Sequence, residues 1–194
     1  SALGYNIPSF PYVHDQSSGA FLALAIAFFW IARRQLRDVI MKAFGSQTVD
    51  DSDEPLPYRV AFFGFIGGFT FICIWCLAAG MSIETVLMYL GLILAFALVY
   101  TKIRAEAGAP MIWLFPYGEH KPVMLNAFGP EAFIHDGSFQ NLSVFASLTF
   151  LSRGYFPAFM AYQLEAIKHA DDVKMGRRVM PFVIMLALVV GLAW

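Results

Sequence analysis

Charged residues follow the third apolar segment of the chain, close to a glycine that would end a helix. Arg104 and Glu106 stand in the run Lys-Ile-Arg-Ala-Glu-Ala-Gly-Ala-Pro over residues 102–110. Residues two apart on a helix point to different sides, so each of these groups needs its own partner. Ionisable groups within a membrane are costly unless paired and mark functional sites. The helix end would also free carbonyls for a cation or a substrate amide. The alternative is that these residues form an ordinary charge pair at the membrane interface and have no functional role.

A second polar group lies where two later apolar segments are interrupted. Arg153 and Tyr155 precede Pro157, and Gln163 and Glu165 follow in a helical run. Ion pairs four residues apart on a cytoplasmic amphipathic helix would explain much of this pattern. A gate or a contact in a binding site is the sharper hypothesis. The candidate lining of a substrate or ion pathway is therefore Arg104, Glu106, Arg153, Tyr155 and Glu165.

Other kinds of chemistry have no supporting pattern. The four histidines are scattered without the spacing of metal ligands, so no metal site is predicted. Cys73 and Cys76 lie in an apolar helical run, where thiols stay protonated and unreactive. A phosphate-binding glycine loop and the common hydrolase motifs are missing from the sequence. We therefore expect no enzymatic activity and assign no cofactor.

The composition is that of an integral membrane protein. Of the 194 residues, 59% are hydrophobic and 14% are charged, whereas soluble domains are about 45–50% apolar and about 25% charged. The lipid bilayer is therefore an expected partner. The formal net charge is −1, so nucleic acid is not an expected partner.

The apolar runs predict an all-α, polytopic fold with a single membrane domain over residues 1–194. About four membrane-crossing helices are predicted, at about 19–34, 60–79, 82–103 and 179–194. Two short helical segments are predicted at about 141–152 and 158–172. Gly64 and Gly68 in the second crossing helix form a Gly-x-x-x-Gly pair, which predicts close packing against another helix.

Positive residues indicate which loops face the cytoplasm. They lie after the first and third crossing helices and before the last, which places the N-terminus outside and the basic loops in the cytoplasm of a bacterial inner membrane. Both ends of the stretch 104–153 then face the cytoplasm. Because residues 109–118 are apolar, bracketed by prolines and too short to cross, we predict a re-entrant segment between the third and fourth crossing helices. A surface excursion is the alternative.

The final apolar run, from Val179 to Trp194, is slightly shorter than the roughly 20 residues that a crossing helix needs. The chain also begins at Ser1. We therefore expect it to be part of a longer polytopic protein. Its partners would be other helices of that longer chain or other subunits of a membrane complex.

Several short stretches together resemble the middle of a large, uncharacterised family of bacterial membrane proteins. The more specific ones are Ile-Arg-Ala-Glu-Ala-Gly at 103–108 and Met-Ala-Tyr-Gln-Leu-Glu-Ala-Ile-Lys at 160–168; the others lie at 15–20, 32–37, 58–64 and 78–82. That family looks distantly related to the oligopeptide transporter superfamily. The resemblance implies a transporter-like permease of unknown substrate.

A structural role is the alternative function. The chain could be a non-catalytic subunit of a larger membrane complex, such as a respiratory or photosynthetic one. It would then use the face of Gly64 and Gly68 and its aromatic surfaces for packing.

Overall fold

The computed structural model describes residues 12–45, 49–108, 120–135, 137–148 and 159–193, and every regular element in these ranges is helical. Two short 3₁₀ helices, Pro130–Phe133 and Arg177–Val179, accompany the α-helices. The α-helices are α1 (Val13–Ala43), α2 (Tyr58–Ala78), α3 (Ile83–Ala107), α4 (His120–Phe128), α5 (Gln140–Ser147), α6 (Phe159–Asp172) and α7 (Met180–Ala193).

The membrane-helix class is confirmed by three of these elements. Within the described ranges, α1, α2 and α3 are long and apolar enough to cross a membrane. They overlap the first three predicted crossing helices. Helix α7 has 14 residues, fewer than the roughly 20 that cover a hydrocarbon core. The fourth crossing therefore stays a prediction.

Helix α1 differs from its predicted bounds at both ends, since it begins at Val13 and not at 19, and one further helix was not predicted. Helix α1 runs to Ala43, well beyond the predicted end at 34, and includes the basic run from Arg33 to Lys42. Arginine and lysine are good helix formers, so nothing local stops the helix. Helix α4 was not predicted, because its sequence is mixed and contains Pro122. That proline lies in the first helical turn, where its missing N–H group costs no intrahelical hydrogen bond.

Helix α3 is the element around which the others pack. It contacts α1, α2, α4 and α6. One apolar cluster joins its first half to the end of α2 and to α4 and α5, with Tyr89 and Met124 fully buried. A second cluster joins its later half to α1, where Phe21 meets Phe96 and Tyr100 edge to face.

The start of α3 is tied to α5 by one buried amide. Asn141 is 3% exposed; its Oδ1 accepts the Ser82 backbone N–H at 2.8 Å, and its Nδ2 donates to the Phe133 carbonyl at 3.1 Å. Gly80, in the preceding turn, has φ +93° and lies against Gln140. The turn between α2 and α3 therefore requires glycine at position 80, because a side chain there would collide with Gln140.

The described segments after α3 meet it at two separated levels. Tyr89 contacts His120 of α4 and Phe145 of α5, whereas Arg104 contacts Glu165 of α6. Fifteen residues of helix separate the two levels, about 22 Å along its axis. The sequence predicts a re-entrant segment in this part of the chain. It stays a prediction, because residues 109–118 lie outside the described residues.

We expect Gly80→Ala to lower the free energy of unfolding by about 1–3 kcal/mol. A Cβ atom at Gly80 would lie 2.2 Å from Gln140 Nε2, at a φ that side chains rarely adopt. Gly64→Ala is the matched control, because a Cβ there meets no described atom within 4 Å and alanine favours a helix by about 1 kcal/mol. Denaturant unfolding in detergent measures both, and equal effects would contradict the assigned turn.

Candidate functional site

An ion pair between α3 and α6 is the centre of the candidate site. Arg104 Nε donates to Glu165 Oε1, and Arg104 Nη2 donates to Glu165 Oε2 at 3.0 Å. The guanidinium carbon also lies 4.6 Å from the centroid of the Tyr162 ring. Two parallel hydrogen bonds and a cation–π contact fix the orientation of the guanidinium more tightly than a single charge contact would.

Glu106 takes a different partner, as two residues of separation on a helix require. Its carboxylate lies 2.5 Å from Lys102 Nζ, one helical turn earlier, and both side chains are about half exposed. An ordinary interfacial charge pair was the alternative to a functional role for these residues, and the Lys102–Glu106 pair fits that description. The Arg104–Glu165 pair is less exposed, at 14% and 34%, and joins two helices that are far apart in sequence.

A cleft of about 550 Å³ surrounds the end of α3 and the adjoining face of α6. Three of the five predicted pathway residues, Arg104, Glu106 and Glu165, line it. Arg153 and Tyr155 lie outside the described residues. The cleft carries charges of both signs, since Lys168, His169 and Asp172 also line it.

The predicted end of the third helix is confirmed at Gly108. This residue has φ +59°, and its N–H donates to the Arg104 carbonyl at 3.0 Å. Glycine adopts this left-handed conformation without steric cost, which makes it a common helix-ending residue. The aligned peptide dipoles of α3 place a partial negative charge at this end of the helix, which the cleft borders.

The arginine keeps Glu165 ionised. Hydrogen bonds from Arg104 lower the pKa of this carboxyl below its ordinary value of 4.5, against the opposing effect of burial. Because the folded-state pKa is lowered, the pair stabilises the fold fully above the ordinary carboxyl pKa. This stabilisation is lost as the pH falls through the lowered value.

Helices α6 and α7 form a hairpin that places the pair away from a charged turn. Arg177 Nε lies 2.6 Å from Asp171 Oδ1 at the turn, and farther along, Tyr162 and Leu188 line one apolar groove. Glu165 stands six residues before Asp171, or about 9 Å along α6. The ion pair therefore lies away from the turn, on the side of α6 that faces α3.

A second polar group was not predicted from the sequence. His120 is 3% exposed, and its ring centroid lies 5.1 Å from that of Tyr89. The Tyr89 hydroxyl is fully buried and has no hydrogen-bond partner among the described residues. Lys121 Nζ donates to the Phe145 carbonyl. No spacing motif joins Tyr89 to His120; only the packing of α4 on α3 brings them together.

Burial and the charge of Lys121 lower the pKa of His120 to about 4. The imidazole is therefore neutral at pH 7, as is usual for a histidine held among apolar side chains. Within the described ranges, no three His, Cys, Asp or Glu side chains are grouped to hold a metal ion.

The predicted packing face of α2 is open in this chain. A Cβ built on Gly64 or Gly68 meets no described atom within 4 Å, and the same holds for Gly67 between them. Large apolar side chains beside this face, including Phe65 and Ile66, are exposed. Contact at this face therefore stays a prediction about helices outside the described part of the chain.

We expect Arg104 and Glu165 to be energetically coupled. A double-mutant cycle of Arg104→Gln and Glu165→Gln should give about 1–2 kcal/mol, because the pair is bidentate and only partly solvated. The same cycle on Lys102 and Glu106 should give about 0.5 kcal/mol or less, since that pair is exposed. Unfolding in detergent measures both cycles, and equal couplings would contradict the assigned difference.

We expect His120 to make stability depend on pH. Between pH 6.5 and about 4 the unfolded chain binds a proton that the folded chain excludes, so the free energy of unfolding falls by about 3 kcal/mol as the pH is lowered. His120→Phe keeps a ring against Tyr89 and should remove most of this slope. His135→Leu, at an exposed position, should keep it. An unchanged slope in His120→Phe would disprove the assignment.

Comparison with known proteins gives a family but no activity. No curated protein and no solved structure matches the chain. One family model matches residues 1–194, and its description is "Family of unknown function (DUF6785)". Since the match covers the whole chain, the protein belongs to this DUF6785 family of unknown function.

Proposed function

We propose that this chain is a segment of a transporter-like permease and that the cleft between α3 and α6 belongs to its polar pathway. The proposal joins the resemblance to an oligopeptide-transporter-like family with the charged cleft described above. The substrate class that fits the cleft is a small organic solute with polar or charged groups.

One observation carries the proposal. The Arg104–Glu165 pair joins two helices beside an open cleft, and both side chains are only partly exposed. Paired ionisable groups in such surroundings commonly mark substrate or ion pathways. A helix that ends beside them, as α3 does at Gly108, is a frequent feature of transporter binding sites.

The pair fits the role of a gate. The Arg104 guanidinium holds Glu165 through one edge, with Nε and Nη2 as donors, so a solute carboxylate could exchange with the Glu165 carboxylate at the same donors. Opening would separate α3 from α6, which the pair otherwise connects. In the proposed topology the N-terminus is outside and the gate is on the cytoplasmic side of a bacterial inner membrane.

Uptake by whole cells tests the proposal. Cells that express the protein are given labelled amino acids, short peptides and organic acids, one solute at a time. Arg104→Gln and Glu165→Gln should each lower the initial rate roughly tenfold, because each leaves one charge unpaired at a cost of about 1–3 kcal/mol. Arg59→Gln, which removes an exposed cation outside the cleft, should keep the wild-type rate.

The reversed pair gives the sharpest control. Arg104→Glu combined with Glu165→Arg restores the attraction between the helices while it moves the guanidinium. Recovered uptake would support a gate, and lost uptake would support direct contact of Arg104 with the solute. Equal uptake by the wild type, both single variants and vector-only cells would exclude transport through this cleft.

A structural subunit of a larger membrane complex is the second candidate. The open face at Gly64, Gly67 and Gly68 favours it, because such faces let helices approach closely. Gly68→Leu should then release partner proteins that otherwise co-purify at fixed stoichiometry, with no effect on solute uptake. Purification without any partner, together with measurable uptake, would favour the permease.

A further inference from the structure

Three concavities follow one another along α7. The first, about 560 Å³, lies at the turn before α7 and is lined by Lys174, Arg177 and Arg178 together with Asp53 and Asp171. The next two, about 450 and 460 Å³, both border Gln163, Ile184 and Met185. A charged cavity is thus followed by a mainly apolar groove, which Glu54 and Tyr58 also line.

The apolar groove has the dimensions of one lipid leaflet. It begins at Pro181, one turn after the cationic cavity, and reaches Leu192 between α6 and α7. From Arg178 to Leu192 the helix rises about 21 Å, and half of a hydrocarbon core is about 15 Å. An acyl chain whose headgroup lies at Arg178 would therefore stay within the groove.

The charges that line the first cavity favour an anionic lipid headgroup. Arg177 is held by Asp171 at 2.6 Å and donates to the Asp53 carbonyl at 3.4 Å. Three cations against two carboxylates leave this cavity with a charge of +1. With Arg177 engaged, Lys174 and Arg178 are the cations that an anion would meet. Basic residues at the membrane end of a helix attract anionic phospholipids.

We propose that this groove binds one anionic phospholipid. Its phosphate lies against Lys174 and Arg178, and one acyl chain lies between α6 and α7 along Ile184, Met185 and Leu188. The bound lipid would fill the space that separates these two helices and so hold α6 in place. The proposal does not depend on transport by the cleft.

Native mass spectrometry of the purified chain tests the proposal. Phosphatidylglycerol and phosphatidylcholine with the same acyl chains are added in turn, and the fraction of protein with one bound lipid gives the affinity. We expect tighter binding of phosphatidylglycerol. Lys174→Gln or Arg178→Gln should weaken it about fivefold, and the double variant roughly thirtyfold.

Matched variants separate this site from general charge attraction. The double variant Arg34→Gln with Arg59→Gln removes two exposed cations outside the cavity and should bind normally. Lys174→Arg with Arg178→Lys keeps both charges and should also bind normally. Ala187→Trp fills the groove and should weaken both lipids, whereas Leu186→Trp, which does not line it, should not. Circular dichroism checks that each variant keeps its helices.

Several results would overturn the proposal. Equal affinity of the wild type for the two lipids would exclude recognition of the headgroup. If the double variant of Lys174 and Arg178 and the double variant of Arg34 and Arg59 lost equal affinity for phosphatidylglycerol, binding would depend only on the net charge of the protein. Unchanged binding by Ala187→Trp would exclude the groove. A dimer that phosphatidylglycerol does not dissociate, and that Ala187→Trp does, would assign the groove to a second copy of this chain.

Discussion

The burial of α3 among its neighbours is the constraint on which the rest of the structure depends. This helix packs against α2, α4 and α5 in its first half, against α1 in its later half and against α6 near its end. Tyr89 and Val99, in separate apolar clusters, are both fully buried. Removal of α3 would leave α4 and α6 without a common partner, because both of them pack on it.

Two polar groups, one at each end of α3, are matched by groups from other helices. Asn141 satisfies the start of the helix through Ser82, and Glu165 satisfies Arg104 near its end. Each match depends on a residue about sixty positions away in sequence. Burial of a polar group without a partner is costly, and Asn141 is the more deeply buried of the two matching residues, at 3% exposed. These two contacts thus specify how α5 and α6 meet α3.

The chain separates its charges into two kinds. Exposed pairs such as Lys102–Glu106 lie within one helix and contribute little to stability. Pairs between elements connect the helices: Arg104 joins α3 to α6, and Arg177 joins the turn before α7 to Asp171 and to the loop at Asp53. Arginines thus hold helix α6 near its middle and at its C-terminal end. Both proposed sites lie along this helix, one on the side of α3 and the other on the side of α7.

The helical membrane class and the positions of α1, α2, α3 and α6 follow from the sequence alone, because long apolar runs and charge patterns are local properties. The sequence also determined that Arg104 and Glu106 face different sides, since the helical period fixes this. Only the tertiary structure decided that Arg104 meets Glu165 and that His120 is buried beside Tyr89. These contacts depend on how separate helices pack against α3. Side-chain period and spacing within one helix carry no information about the angle and level at which another helix crosses it.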